Sequence, residues 1–493
     1  MSSDVCSKWI GLHDIKVGED KIKIPESQRG SGASSLALHD VQLSQIETIR
    51  FQALSDPLPI FEFDYGRFDE KSPTPERRQS VCQFSPKAES KADAIFLWWE
   101  LKMDPQNKIT LSCAPIWAHP ERKQFQVGDK IQPWRDHWMQ AIYYPISRPE
   151  MHSEPMVLVS NHDEYSYWFD IKNATTKIEG MVPMPDPKPG IHMAVSRTRL
   201  GQLNDEAHTV TLVNAVKRTL ENCQGSRILV LSEQSLLPLI VSKLAPNGPI
   251  TTYEPNSQFR DVLETTAKHN GLHLDIKQSV ENVEDFDVIL SEPSFSISYL
   301  PWHNLYFWYM LKNVQNVEIM PKKATIWCCP VTFQDLWKIR APLKSVEGFN
   351  VKHFDDIIMD ACDISDAEVE PQPLWEYPCK AECEPKSLAT FDLTEKIPEN
   401  ELKTTTTFEN LKVAKRGSGL VFWMDWHLTD QDIVCTGPLS KIKPKQDIEW
   451  NMHHKQGVHF FIEKSEDVLI RNVSVDLIFE STEGNISFDI TSK

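Results

Sequence analysis

The strongest constraint on the fold is that the chain repeats itself. Trp98-Trp99-Glu100 has a counterpart in Trp423-Met424-Asp425, and Ser112-Cys113-Ala114-Pro115-Ile116 in Cys435-Thr436-Gly437-Pro438-Leu439. Trp134-Arg135-Asp136-His137-Trp138-Met139-Gln140 is answered by Trp450-Asn451-Met452-His453-His454-Lys455-Gln456, and Phe169-Asp170-Ile171 by Phe488-Asp489-Ile490. The separation is 325 residues from Trp98 to Trp423 and 316 from Trp134 to Trp450, with the order kept throughout. Chance could supply one such match. Four in register point to duplication, with the differences confined to loop lengths.

Residues 1–180 read as β. Phe96 to Met103 and Lys108 to Cys113 have the composition of paired strands around the turn Asp104-Pro105-Gln106-Asn107, and Gln140–Tyr144 and Met156–Ser160 continue the pattern. Over 185–345 the texture changes. A helix is expected over 206–222, a strand over Arg227–Ser232, a helix near 235–244, a strand over Ile250–Glu254 and a helix over 257–269. Asp285–Glu292 and Ala324–Cys329 are further strands, separated by the aromatic helix Trp302–Tyr309. Strands alternating with helices predict a parallel, doubly wound sheet. From 346 to 493 the chain returns to β. The expected fold class is α/β plus all-β: a β-barrel, a Rossmann-like domain, and a second β-barrel.

A chain of 493 residues is long for one core. Its net charge of −18 opposes binding along nucleic-acid phosphates and suits a cationic partner such as an Arg-rich protein segment. The longest apolar runs are too short to span a bilayer, and the polar start at Met1-Ser2-Ser3-Asp4 carries no signal peptide. Ten scattered cysteines fit reduced thiols and a cytoplasmic and nuclear location. Cys379-x-x-x-Cys383 alone has a metal-like spacing, and it reads as two unrelated thiols.

The loop Asp136-His137-Trp138, with Trp134 to Gln140 around it, resembles a loop of the protein arginine methyltransferases, as do Leu300 to Tyr309, Phe333 to Trp337 and Leu374 to Cys379. The resemblance runs over nearly the whole chain and is to the tandem-module members of the family. It implies a Rossmann-like domain for S-adenosylmethionine followed by a β-barrel, with the order α/β, barrel, α/β, barrel in a complete tandem enzyme. On that template this chain lacks the first α/β unit.

The resemblance also locates candidate site residues. Methyl transfer to arginine needs glycines after the first strand, so that the backbone can approach the cofactor, and an acid at the end of the second strand for the ribose. Here the first strand runs into Ser232-Glu233-Gln234-Ser235-Leu236 without a glycine, while Glu254 stands where the ribose-binding acid belongs. Two carboxylates would grip a guanidinium by bidentate bonds. Glu292 matches the first; the second position reads Tyr299-Leu300-Pro301, so Glu292 is expected to be a vestige. His137 and Trp138 would belong to the loop that closes over substrate arginine. His453 and His454, being adjacent on an expected strand, would face opposite sides and form no paired metal site. Where the tandem family carries a zinc site, this chain keeps His192 but has Pro187 and Pro189 in place of thiols, so no metal is expected.

The implied function is protein-arginine N-methylation, with S-adenosylmethionine as donor, monomethylation as outcome and Arg-rich substrates such as histones. This chain alone is expected to be catalytically incomplete and not to hold the cofactor. The alternative is a non-catalytic scaffold or regulatory fragment, with self-association through the module interface.

Overall fold

The computed structural model describes every residue except 1, 31–38, 47–49, 65–76, 125–137, 146, 186–190, 222, 224, 312–313, 315, 340–341, 416 and 462–468. The chain forms two compact units. One comprises residues 1–14 and 24–204, the other 15–23 and 205–493.

In the first unit, Met156–His162 lies between Arg78–Phe84 and Tyr167–Asn173 in an antiparallel sheet, and Gln140–Tyr143 lies between His39–Val41 and Ile95–Leu97 in another. Glu100–Lys102 and Thr110–Ser112 pair as the expected hairpin. All seven residues of Met156–His162 are buried, because this central strand is covered on both faces. Tyr143, Trp168 and Phe169 fill the core beneath it.

In the second unit a five-stranded parallel sheet runs in the order Asp275–Lys277, Ile250–Tyr253, Ile228–Leu231, Val288–Leu290, Glu318–Met320. Ile228–Leu231 is apolar throughout, as a strand buried on both faces must be. Asp205 caps the helix Glu206–Leu220 through the Ala207 N–H, and Asn256 caps Ser257–His269 through the Phe259 N–H. Strand order reverses on either side of Ile228–Leu231, so the crevice at its carboxyl end is the switch point where doubly wound sheets hold ligands. The hairpin Ile15–Val17/Asp20–Ile22 belongs to this unit despite its place in the sequence. It buries Ile15, Val17 and Ile22 and pairs Lys16 with Glu206 and Asp20 with Lys243.

The strand expected at Ala324–Cys329 is not in the parallel sheet. It is the middle of Lys323–Phe333, which pairs antiparallel with Ser418–His427, Cys379–Ala381 and Lys386–Asp392 in a seven-stranded sheet. Both of its faces are buried, one against Phe422 and Met424, the other against Val421 and Trp423. An antiparallel strand so covered has the continuous apolar run of a parallel one. A further antiparallel sheet joins Leu402–Phe408, Val473–Glu480 and Asn485–Ser492. The described strands trace no closed ring of pairings.

The aromatic string is a short 3₁₀ turn, Pro301–Leu305, leading into the helix Tyr306–Met310. Trp302, Phe307 and Trp308 are core, and each such burial contributes about 1.5–3 kcal/mol. Trp308 stacks on Phe479 at 6.0 Å, and its indole N–H donates to the Glu395 carbonyl at 2.9 Å. His453 and His454 lie in a turn before the strand Gln456–Phe460, not on a strand, because the Asn451 side chain accepts the His453 N–H at 2.8 Å and bends the chain there. Among the described residues no helix is long and apolar enough to cross a membrane.

Candidate active site

The segment Ser232–Leu236 leaves the carboxyl end of Ile228–Leu231 and crosses the switch point. Its side chains turn inward: Ser232, Glu233, Ser235 and Leu236 are all buried. Gln234 is held at a φ of +50°, a left-handed conformation that glycine adopts without strain and a Cβ-bearing residue does not. That turn aims the Gln234 N–H at Glu254, whose Oε2 accepts it at 2.6 Å. The other oxygen of Glu254 accepts the Asn256 N–H at 2.9 Å. Glu254 is therefore fully buried and bonded to main chain on both oxygens. Nearby Tyr253 has its phenol pushed up to about 12, by burial and then by the negative charge of Glu233.

Glu292 emerges from Val288–Leu290 on the other side. Its N–H donates to the Ser232 hydroxyl at 2.8 Å. One carboxylate oxygen accepts the Ser235 hydroxyl; the other meets His208 Nε2 at 3.0 Å. Glu233 ties down the following loop by accepting the Ser296 N–H at 2.9 Å. At the position where a second gripping acid would stand, the Tyr299 and Leu300 N–H groups turn toward His303 Nδ1, at 3.3 and 3.4 Å. Burial lowers the His303 pKa, which favours the neutral ring that can accept them.

Glu254 and Glu292 thus lie just beyond the carboxyl ends of the two strands flanking the switch point. Both are engaged by neighbouring groups of the same unit. His208 and Ser235 were not among the expected site residues. A single histidine on an amphipathic helix and a serine in a polar loop carry no spacing that marks them.

Of the loop expected to close over arginine, His137 lies outside the described residues. Trp138 is half-buried, its ring 4.7 Å from that of Trp99 and tilted by 55°. Pro187 and Pro189 also lie outside the described residues. His192 has its Nε2 2.8 Å from the Ile10 carbonyl, and burial lowers its pKa. Cys379 accepts the Trp450 indole N–H at 3.3 Å, with burial pushing its thiol up to about 12. The nearby Cys383 is pushed up to about 11.

Known proteins place this geometry. The arginine methyltransferase oligomerization subdomain matches residues 27–171 and again 322–486. Protein arginine N-methyltransferase 7 of Drosophila melanogaster is 34% identical over 518 aligned residues, which cover 100% of this chain and 73% of that protein. The chain belongs to the protein arginine methyltransferase family. Its Drosophila erecta relative of the same name matches equally, at 34% identity with the same coverage. Arabidopsis thaliana protein arginine methyltransferase 10, a solved structure, aligns with 61% of this chain and 98% of its own at 13% identity and a TM-score of 0.38.

Members of this family are enzymes that take their methyl group from S-adenosylmethionine. The crevice of the second unit does not fit that cofactor. The acid suited to the ribose has no exposed surface and is turned onto two main-chain donors, and the loop that should leave room for the cofactor is packed with buried side chains.

Proposed function

We propose that this chain serves protein-arginine monomethylation as a catalytically incomplete polypeptide, whose α/β unit is structural. The observation that carries this reading is the complete burial of Glu254 beneath its own loop, with the Gln234 N–H seated on it at 2.6 Å. The lock on Glu292 by His208 and Ser235 supports it independently. Methyl transfer then requires a cofactor-binding unit other than the one formed by residues 205–320.

In this reading the two regions matched by the oligomerization subdomain are a duplicated pair of β-barrels. Trp138, with His137, belongs to the loop that faces substrate arginine. The net charge of −18 favours cationic substrates, Arg-rich segments such as histone tails, in cytoplasm and nucleus. Self-association through the subdomains accords with the name of the matching family model.

The second reading is a scaffold that binds partner proteins without catalysis, favoured by the same closed crevice. Calorimetric titration of the folded chain with S-adenosylmethionine tests the shared premise. No binding heat is expected. Saturable one-to-one binding would overturn the assignment of this unit as structural.

A further inference from the structure

The duplication sets one hairpin in two surroundings. In the first unit Glu100–Lys102 pairs with Thr110–Ser112; in the second, residues 425–427 pair with Ile433–Cys435. The bonds at both ends coincide. The Cys113 N–H donates to the Trp99 carbonyl at 3.2 Å, and the Thr436 N–H to the Met424 carbonyl at 2.9 Å. The Met103 N–H donates to the Ile109 carbonyl, and the Leu428 N–H to the Asp432 carbonyl, each at 2.9 Å. Trp99, Leu101, Met103, Ile109 and Leu111 therefore stand where Met424, Trp426, Leu428, Asp432 and Val434 stand, on one face of the hairpin.

The two faces differ in what covers them. In the second unit the helix Glu206–Leu220 lies against Ile433–Cys435, and its Leu212, Ala215 and Val216 share one core with Met424, Trp426, Leu428 and Val434. Arg218 of the same helix pairs with the buried Asp432. In the first unit Met103 is 58% exposed, Ile109 61% and Trp99 39%, with Leu101 and Leu111 half-buried. A hairpin of two strands is marginal in water, and an apolar stripe left on it marks a surface that another element covers. Exposure alone does not say which element. The repeat does: an amphipathic helix with apolar side chains at i, i+3 and i+4, as Leu212, Ala215 and Val216 are spaced.

One position on the face changes in kind, Asp432 against Ile109. An arginine laid on Ile109 would lose water without gaining that carboxylate, which is costly. Asp104, close by in the turn, is already engaged on both oxygens by the Gln106 and Ile109 N–H groups, at 2.9 and 2.6 Å.

We propose that Trp99, Leu101, Met103, Ile109 and Leu111 form the docking face for an amphipathic helix of a separate α/β unit, and that Ile109 selects a helix with an apolar residue where Glu206–Leu220 has Arg218. That this unit is the cofactor-binding one rests on the methyltransferase reading; the helix and its selection rest on the repeat. Each copy then rejects the other's helix. An apolar residue would leave the Asp432 carboxylate unpaired, and an arginine would be left unpaired on Ile109.

The probes are two fluorescein-labelled peptides of residues 205–221 that differ by Arg218→Leu. Because so short a helix is marginal in water, both are closed as a lactam through Val210→Lys and Asn214→Asp, on the exposed side of the helix. Anisotropy titration of the 493-residue chain should show saturable binding of the Arg218→Leu peptide, at least fivefold tighter than that of the peptide keeping Arg218. Ile109→Asp should reverse that order, and Met103→Lys combined with Ile109→Lys should abolish binding of both. Should the double variant fail to fold, Met103→Gln replaces it and should weaken the Arg218→Leu peptide at least threefold. Absence of saturable binding, equal binding of the two peptides, an order unchanged in Ile109→Asp, or binding that survives the changes at Met103 overturns the proposal. Neither peptide involves the cofactor, so failure here leaves the calorimetric test of the methyltransferase reading untouched, and cofactor binding by the chain leaves the docking face untouched.

Discussion

Gln140 and Gln456 belong to different units, yet each makes the same pair of buried bonds. Gln140 donates to the Cys113 carbonyl at 2.8 Å and accepts the Leu43 N–H at 2.7 Å. Gln456 donates to the Thr436 carbonyl at 2.8 Å and accepts the Leu374 N–H at 3.3 Å. Cys113 and Thr436 are also counterparts in the sequence repeat. Around this shared clamp the side chains differ. The buried Ser112 bonds an exposed Glu100, whereas Cys435 and Asp425 interact as a half-buried pair. Trp99 meets Trp138; its counterpart region packs Trp423 against Trp450. The two regions share bonds to main chain, which depend on the path of the backbone. They differ in bonds between side chains, which can be exchanged without moving it.

If that is the lesson, the glutamines should be the costliest positions to change. Gln140→Leu leaves the buried Cys113 carbonyl and the Leu43 N–H unmet and should destabilise the first unit by roughly 2–4 kcal/mol in urea unfolding. Gln456→Leu leaves the Thr436 carbonyl unmet, while the Leu374 N–H keeps the Gln372 carbonyl at 3.1 Å, and should cost the second unit roughly 1–3 kcal/mol. A loss below about 0.5 kcal/mol in either variant would break the comparison.

Gly437 and Ala114 sharpen it at the next level. A Cβ at Gly437 would stand 2.3 Å from the Trp423 ring, although its counterpart Ala114 carries one. Gly437→Ala should cost about 1–3 kcal/mol through overpacking. The reciprocal Ala114→Gly should cost less, about 0.5–1 kcal/mol, from chain entropy. Equal costs would mean that the copies differ less in packing than the rings indicate.

The smallest effect should be electrostatic. Burial raises the Asp425 pKa above its usual 3.8, so the folded state holds that proton more tightly than the unfolded state. Below pH 3.8 this carries no penalty; as pH rises through 3.8 toward the folded value, stability falls and then levels. Asp425→Asn should lack that fall, so its stability relative to the native chain should increase over the same window. A pH-independent difference between the two unfolding curves would remove the role given to the burial of Asp425.

The sequence was most legible where a residue type serves one local purpose. Asn256 begins its helix because its side chain accepts the Phe259 N–H, and the predicted span 257–269 coincides with the observed helix. Trp and Gln recur in order within the two regions that the oligomerization subdomain matches, 27–171 and 322–486, and the sequence displays that recurrence directly. Glu254 and Glu292 could be placed at strand ends from the alternation alone. Other features were hidden for physical reasons. The run Ala324–Cys329 is apolar on both faces, and this does not distinguish a parallel neighbour from an antiparallel one. His208 and Ser235 matter through Glu292, far away in sequence, and no local pattern records such a bond.

The hairpin Ile15–Ile22 places an early segment inside the second unit. During synthesis it emerges before residues 24–204, and these must follow before the helices Glu206–Leu220 and Leu237–Leu244 that receive it exist. Throughout that interval Ile15, Val17 and Ile22 have no native partner and remain available to chaperones or to aggregation. Closing so long a loop also delays the contact itself, since non-local pairings form slowly. The second unit can reach its final form only if this hairpin is still free to join it.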